Sequence, residues 1–221
     1  MIAPRTVSSI LFCSFRKPHG PYEVPAPFES MYSDVEISLP QPETLETIGR
    51  LPMPVQKLIL RGKKPEYQID RTQLQWLYRS YYGTVSHLDQ EVGPILETLK
   101  EAGADDNTIV VFTSDHGDQL LEHGLTGKNV FFEASIHVPL MIRLPGSVHP
   151  GRYDALVESV DVLPTLFELA GLPEPEDCQG RSLVSLCSES GGTSAPTEVQ
   201  FAVSRVMERP AFVCRLVAWT P

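Results

Sequence analysis

The sequence predicts an α/β fold in which helices flank a sheet, and three observations support that prediction. Short apolar runs of strand length end abruptly in polar residues or a turn, most clearly residues 108–113 and 138–144. Residues 66–102 carry apolar side chains at steps of three and four, as an amphipathic helix does. The chain has 221 residues, 42% of them hydrophobic, which is enough for a sizeable core. Strands and helices that alternate along a chain are typical of a sheet layered by helices.

The longest predicted element is the amphipathic helix over residues 66–102. Pro94 lies inside it and predicts either a kink or two helices joined near that residue, because proline removes a helical hydrogen bond. Gly103 is expected to end the helix, since glycine readily adopts the left-handed backbone of a C-terminal cap. Residues 105–107 then predict a turn before the strand at 108–113.

The N-terminal region predicts one strand and a long irregular connection. Residues 7–15 are apolar and β-branched, which favours a buried strand over a weak signal peptide. The following segment, to about Pro65, is rich in proline and predicts a functional loop or a surface excursion. The remaining predictions are helices at 160–170 and 182–186, a flexible linker at 188–197, and strands at 199–206 and 212–219.

Charge and cysteine content exclude several classes of protein. The formal net charge of −10 and the lack of a basic patch argue against binding to nucleic acid or an anionic membrane. No apolar run reaches the ~20 residues of a membrane span. The four cysteines lack zinc-binding spacing and predict free thiols, with a Cys178–Cys187 disulfide as the alternative in an oxidising compartment.

The residues that follow the strand at 108–113 are the main candidates for chemistry. Asp115 and His116 stand at the strand end, and Gly117 allows a sharp turn of the backbone. A carboxylate beside an imidazole suits a divalent metal or an acid/base pair. The alternative is structural, with Asp115 or Asp118 capping a helical turn that begins at residue 119.

A second group of polar residues follows the predicted first strand. If that strand is a parallel neighbour of 108–113, His19 and Lys128 are expected at the same sheet edge as Asp115 and His116. A cation, imidazoles and a metal-ligand pair at one edge predict a site for sulfate, phosphate or carboxylate. His123 is a further candidate for the pocket wall because it lies close to this group in sequence.

Several separated segments together match the pattern of one protein family. They are SFRKPHGPYEVPAPFESMY, YYGTVSHLDQEVGPILETL, DNTIVVFTSDHGD, HGLTGK, FFEASIHVPLMIRLPG, SVDVLPTLFELAGLPEP and GRSL. These segments resemble the sulfatase family of the alkaline phosphatase superfamily and occur in the family's order over roughly residues 7–190. The resemblance implies an alkaline-phosphatase-like fold, here as a partial mixed sheet flanked by helices with the N-terminal part missing.

The resemblance also implies roles for single residues. Asp115 and His116 match the pair that binds a divalent cation in such enzymes, commonly Ca²⁺, with Mn²⁺ or Zn²⁺ as alternatives. Lys128 matches the lysine that contacts the sulfate, and His19 matches the histidine that lies against the sulfate or leaving group. Both are therefore expected to be catalytic and substrate-binding, and His123 is expected to be substrate-binding.

Parts of the family pattern are absent from these residues. The family's nucleophile is a formylglycine made from a Cys or Ser in a C/S-x-P-x-R motif, and no such motif occurs here. The N-terminal metal-binding Asp-Asp pair and the second Lys/His pair are also absent. We therefore expect residues 1–190 to be the C-terminal part of a sulfatase-like catalytic domain. Residues 191–221 are expected to be a linker and the start of a truncated C-terminal subdomain.

The expected function is arylsulfatase-like hydrolysis of a sulfuric ester, with no activity of this chain alone because the nucleophile is absent. One alternative is a phosphodiesterase or phosphonate monoester hydrolase lineage, since His at position 116 also occurs in such relatives. Another is a non-catalytic remnant that binds a metal or a partner chain.

The expected partners are a complementing N-terminal half or a second copy paired through an exposed sheet edge. Relatives are often periplasmic, secreted or lysosomal, and the sequence assigns no compartment.

Overall fold

The structure is a computed structural model that describes residues 9–65, 68–188 and 213–218. The chain forms two compact units. The helical unit contains residues 12–102 and 118–135 as far as they are described. The sheet unit contains residues 103–117 and the described residues before 12 and from 136 onward.

The helical unit is built around one long helix. Its elements are α1 (Leu45–Gly49), α2 (Met53–Gly62), α3 (Arg71–Glu101) and the one-turn α4 (Glu133–Ile136), whose last residue belongs to the sheet unit. Asp70 caps α3 by accepting a hydrogen bond from the Gln73 amide at 2.8 Å, and the Gln73 side chain accepts one from the Asp70 amide. Pro94 lies within continuous helix, so one helix forms and the two-helix alternative is wrong. Gly103 follows with a φ of +64°, as predicted for its C-terminal cap.

Two clusters of buried side chains form the core of this unit. One cluster packs against α3 and contains Ile37, Leu39, Tyr78 and Leu120. The other surrounds α1 and α2 and contains Ile48, Ile59, Leu125 and Val130. Both clusters draw on residues 118–130, so the segment after the DHG turn is part of the core of the helical unit.

The sheet unit has four strands among the described residues. They are β1 (Val110–Thr113), β2 (Val138–Arg143), β3 (Gly151–Glu158) and β4 (Val213–Ala218), in the spatial order β1-β2-β4-β3. The β2–β4 pair is parallel, whereas β1–β2 and β4–β3 are antiparallel. The sheet is therefore mixed, as predicted, and no described strand lies parallel beside β1.

Helices α5 (Val162–Ala170) and α6 (Val184–Ser188) contribute to the core of the sheet unit. Leu140, Ile142 and Leu144 from β2 and the turn after it are buried with Leu169 of α5 and Cys187 of α6. Together with the sheet they confirm the predicted α/β fold with helices packed on a mixed sheet.

A buried polar group fixes the end of this core. The Asp161 carboxylate accepts hydrogen bonds from the amides of Glu158 and Arg181, each at 2.8 Å. Thr165 donates to the Asp161 carbonyl and accepts from the Leu183 amide at 2.9 Å. These bonds tie the start of α5 to residues 181–183, which is why the SVD and GRSL segments lie together.

In the N-terminal and middle regions, one predicted strand is wrong and three elements of the structure were not predicted. Residues 9–15 form no strand, and Ile10, Leu11 and Phe12 are each more than four-fifths exposed. Strand composition alone is insufficient, because a strand also needs a neighbour that pairs its backbone groups. Strand β3 was not predicted, although Arg152 and Asp154 occupy exposed positions that alternate with more buried ones, as in a strand with one solvent-facing side. Helices α1 and α2 were missed in the proline-rich region because Pro52 and Pro54 lie at a helix start, where proline is tolerated.

The other predictions have separate outcomes. The helices at 160–170 and 182–186 and the strand at 212–219 are confirmed as α5, α6 and β4. The strand at 199–206 and all but the first residue of the linker at 188–197 lie outside the described residues. The predicted boundary after residue 190 also lies there and stays a prediction.

Two further sequence expectations concern thiols and membranes. Cys13, Cys178 and Cys187 are free thiols, so the alternative disulfide does not form. Burial raises the pKa of the Cys187 thiol to about 11. Among the residues described, no helix has both the length and the apolar character needed to cross a bilayer.

The core of the sheet unit gives a first prediction. Leu140 is fully buried in β2, whereas Leu156 in β3 is 58% exposed. Leu140→Ala is expected to lower the free energy of unfolding by about 2–5 kcal/mol, because it removes buried methyl groups and leaves a cavity. Urea unfolding followed by circular dichroism measures this. The matched control Leu156→Ala is expected to change the free energy by less than about 0.5 kcal/mol. Equal losses in the two variants would contradict this description of the core.

Candidate functional site

The DHG turn after β1 is held by hydrogen bonds within four residues. Ser114 donates its hydroxyl to the His116 carbonyl at 2.9 Å. The Asp115 carboxylate accepts the His116 amide at 3.0 Å. No helix follows at residues 119–121, where Leu120 and Leu121 have positive φ angles. The alternative in which Asp115 or Asp118 caps a helix is therefore wrong.

The turn also orients the His116 ring. Its Nδ1 atom lies 2.8 Å from the Gly117 carbonyl oxygen. Because a carbonyl oxygen only accepts, Nδ1 carries the hydrogen, and in the neutral ring the lone pair is on Nε2. Nε2 lies 3.5 Å from Oδ2 of Asp115, whose side chain is 83% exposed. A carboxylate oxygen and an imidazole nitrogen this close suit a shared cation, which is either a proton or a metal ion.

Asp115 and His116 fit only part of a metal-ligand set. Calcium takes six to eight oxygen ligands, and zinc takes about four ligands from nitrogen, sulfur and oxygen. Within the described part of the chain, no three His, Cys, Asp or Glu side chains come together as a metal-ligand group. The pair therefore provides two donors of suitable chemistry but no complete shell from these residues.

In the helical unit, Asp118 binds three donors with its two carboxylate oxygens. Oδ2 accepts the Tyr22 hydroxyl at 2.6 Å. Oδ1 accepts the backbone amides of Gly127 at 3.2 Å and Leu120 at 3.3 Å. The pKa of Tyr22 is raised well above its usual value, first because the ring is partly buried and then because its hydroxyl faces the Asp118 carboxylate.

Residues 118–127 form a compact loop that leads to Lys128. The Gln119 amide donates to the Gly127 carbonyl at 2.8 Å, and the Leu121 amide donates to the Leu125 carbonyl at 2.8 Å. The Gln119 side chain is fully buried and donates to the Ser135 hydroxyl. The positive φ angles belong to Leu120, Leu121, His123, Gly124 and Gly127. Three of these are not glycine, which marks a strained loop that its surroundings hold in place.

His123 contacts a carboxylate that its sequence position did not indicate. Its Nδ1 atom lies 2.6 Å from the Glu43 carboxylate, and its ring stacks on Phe132 with centroids 3.8 Å apart. The pKa of Glu43 is lowered, first by the hydroxyl of Thr47 and then by the hydrogen bond from His123. The substrate-binding role of His123 stays a prediction.

The two residues expected to contact the anion also lie in the helical unit. Lys128 is partly buried and directly follows Gly127. His19 is exposed in the proline-rich loop, where its Nδ1 atom lies 2.8 Å from the Gly20 carbonyl. With no strand at residues 9–15, the strand-end argument for grouping His19 with β1 is lost. The grouping of His19 and Lys128 with Asp115 and His116 stays a prediction that rests on the family resemblance.

Sequence reasoning missed Tyr22, Glu43 and the three-donor role of Asp118. Asp118 and Gly127 are nine residues apart, and the nearby glycines were the only local signal of a closed loop. Tyr22 is 96 residues from Asp118, so no local pattern indicates their contact.

Comparison with known proteins identifies the family. The Sulfatase family profile matches residues 2–172. A choline-sulfatase of Rhizobium meliloti (strain 1021) is 35% identical over 167 residues, which cover 73% of this chain and 31% of that protein. An arylsulfatase of Clostridium perfringens (strain 13 / Type A) is 32% identical over 187 residues, covering 81% of this chain and 37% of that protein.

The structure is similar to that of a phosphonate monoester hydrolase of Agrobacterium radiobacter, with a TM-score of 0.66 and 28% identity. The match covers 81% of this chain and 38% of that structure. The chain spans about a third of the length of the curated relatives named above. Because the profile covers more than half of the chain and the fold agrees, this protein belongs to the sulfatase family of the alkaline phosphatase superfamily.

Proposed function

We propose that this chain carries a cation-binding and oxyanion-binding part of a sulfuric ester hydrolase site. The observation that carries the proposal is the match to the Sulfatase profile over residues 2–172, which includes all five predicted site residues. The position of His116 beside the Asp115 carboxylate supports it, because the Nε2 and Oδ2 atoms lie 3.5 Å apart and could act on one cation.

In this proposal Asp115 and His116 hold a divalent cation, most suitably Ca²⁺, with Mn²⁺ or Zn²⁺ as alternatives. When bound by Asp115 and His116, such a cation would supply positive charge that polarises an ester oxygen. The Gly117 carbonyl holds the imidazole by its Nδ1 hydrogen, so this backbone group fixes which nitrogen faces the cation. The described residues supply no group of three such ligands, so in this proposal a complementing segment brings the remaining ligands.

Lys128, His19 and His123 act on the anion in the same proposal. The Lys128 ammonium group pairs with the negative sulfate as a point charge. His19 lies against the sulfate or the leaving group, where an imidazole is suited to proton transfer near neutral pH. His123, held by Glu43, lines the substrate pocket.

Turnover requires a nucleophile from outside these 221 residues, because they contain no C/S-x-P-x-R motif. We therefore expect the chain alone to be inactive. Its partner in this proposal is a complementing segment that brings the nucleophile and the remaining cation ligands. Strands β1 and β3 are at the edges of the described sheet, and an exposed edge also favours pairing with a second copy.

The cation site is tested by a charge-removing substitution. Asp115→Asn is expected to weaken Mn²⁺ binding by about tenfold or more, because the anionic donor becomes a neutral amide. Electron paramagnetic resonance of free Mn²⁺ measures the affinity, with Ca²⁺ as competitor. Asp106→Asn is the matched control, since it removes an exposed carboxylate before β1. Equal affinities in the wild type and Asp115→Asn would remove Asp115 from the site.

Catalysis is tested with an aryl sulfate and Ca²⁺. The purified chain is expected to release no phenol above the background rate, because it has no nucleophile. Addition of a sulfatase segment that contains a formylglycine is expected to restore release. Turnover by the purified chain, abolished in Lys128→Ala, would show that the chain is active alone.

The similarity to the phosphonate monoester hydrolase favours a second candidate, hydrolysis of a phosphonate or phosphate ester. Methyl sulfate and methyl methylphosphonate each carry one negative charge. A difference between their affinities therefore reports the chemistry of the anion and not its charge. Tighter binding of methyl sulfate, followed by the chemical shift of the Lys128 side chain, is expected for the sulfuric ester function. Tighter binding of the phosphonate ester would favour the second candidate. Lys128→Ala is expected to abolish the binding, and Lys100→Ala, at an exposed position in α3, is the matched control.

A further inference from the structure

We infer that Asp118 is a positioning residue, which fixes the chain segment of Lys128 and joins it to the segment of His19. The carboxylate has no described role in the site itself, yet its two oxygens bind groups from both segments. The inference rests on the proposed function for the roles of Lys128 and His19 toward an anion.

The contacts of Asp118 leave its carboxylate little capacity to bind the cation directly. Oδ2 accepts the Tyr22 hydroxyl, and Oδ1 accepts two backbone amides, from Leu120 and Gly127. A carboxylate with three donors has most of its acceptor capacity filled. Asp118, the second Asp of the SDHGD sequence, therefore has a structural role in this loop. Asp115, the first Asp, faces His116.

The peptide groups around Gly127 are held on both sides. The Gly127 amide donates to Asp118 at 3.2 Å, and its carbonyl accepts the Gln119 amide at 2.8 Å. The φ angle of Gly127 is +77°, a backbone that few other residues adopt readily. Lys128 is the next residue, so these two bonds fix the backbone from which its side chain extends. A long lysine side chain loses much rotamer freedom on binding, and a fixed base reduces that loss.

Tyr22 extends the same arrangement to the segment of His19. The two residues are three apart in the proline-rich loop, where Lys17 donates its ammonium group to the Pro21 carbonyl. The Tyr22 ring packs edge-on against Tyr81 of α3, with centroids 5.8 Å apart. The hydroxyl of Tyr22 then reaches Asp118 at 2.6 Å. One carboxylate thus connects two segments that are remote in sequence and that the family resemblance assigns to the anion.

The Asp118 carboxylate is in the same loop as Lys128, and a carboxylate without hydrogen-bond donors would repel sulfate. The three donors around Asp118 offset part of its charge. The energetic role of Asp118 is therefore to order backbone and tyrosine donors rather than to attract or repel the ligand.

The test uses the full chain, methyl sulfate as the probe, and two substitutions. Asp118→Asn replaces one acceptor oxygen by a donor, and Tyr22→Phe removes only the hydroxyl. Asp118→Asn is expected to raise the hydrogen-exchange rate of the Gly127 amide and to weaken methyl sulfate binding by about tenfold. Tyr22→Phe is expected to weaken methyl sulfate binding as well. The Lys128 side-chain shift reports binding, and urea unfolding reports stability.

Tyr32→Phe is the matched control, because this substitution also removes a partly buried hydroxyl that makes a hydrogen bond, in this case with Ser86 at 2.7 Å. It is expected to lower stability as much as Tyr22→Phe does and to leave methyl sulfate affinity unchanged. Equal losses of affinity in the two tyrosine variants would show general loosening and would overturn the inference. Unchanged Gly127 exchange and unchanged affinity in Asp118→Asn would also overturn it. If Asp118→Asn does not fold, the comparison of the two tyrosine variants decides.

The proposed function fails by a different result. If Lys128→Ala leaves methyl sulfate affinity unchanged, Lys128 does not bind the anion. The Gly127 exchange rate and the Lys128 side-chain shift of Asp118→Asn without methyl sulfate then still show whether Asp118 positions this segment. If Lys128→Ala abolishes binding but Asp118→Asn does not weaken it, the proposed function stands and the positioning role is wrong.

Discussion

The three hydrogen bonds to the Asp118 carboxylate determine the conformation of the loop that leads to Lys128. Each donor is an amide or hydroxyl that is partly withdrawn from water, and leaving one without an acceptor costs about 1–3 kcal/mol. A single acidic side chain therefore settles the backbone of Gly127 and the side chain of Tyr22 together. The same device occurs in the sheet unit, where the Asp161 carboxylate accepts the amides of Glu158 and Arg181. In each unit a carboxylate replaces the regular backbone pairing that a loop lacks.

Packing holds the same loop from the other side. Leu120 has a φ angle of +45° but is buried in the cluster that packs against α3. Leu125 is buried beside α2, and the α carbon of Gly62 allows the Gly124 carbonyl to approach. A Cβ atom at position 62 would lie 2.6 Å from that carbonyl oxygen. Burial of apolar side chains thus offsets the unfavourable backbone angles, and the polar contacts select one arrangement among those that packing permits.

Sequence reasoning located α3, β1, β2 and α5 because their signals are local. The spacing of apolar residues in α3 spans many turns, and Gly103 marks its C-terminal end, whereas its start lies at Arg71 and not at the predicted residue 66. Sequence reasoning failed where the structure of a segment depends on a partner that is distant in sequence. Residues 9–15 have the composition of a strand but no strand neighbour among the described residues, and β3 forms because β4 pairs with it. The acid and histidine at the end of β1 were visible as candidates, but the contact of Asp118 with Tyr22 was not, since the two residues are 96 apart.

The three non-glycine residues with positive φ limit whether the loop keeps its conformation in a peptide or in another protein scaffold. Leu120 packs in the cluster around Tyr78, and the His123 ring stacks on Phe132, so side chains from other parts of the chain hold these two residues in that backbone. A synthetic peptide that copies residues 114–128 would lack these neighbours and would relax to ordinary negative φ angles. Grafting the peptide into another scaffold would meet the same obstacle. Residues 118–128 carry their polar groups in a short stretch of sequence, but the conformation of this loop depends on its neighbours in the helical unit.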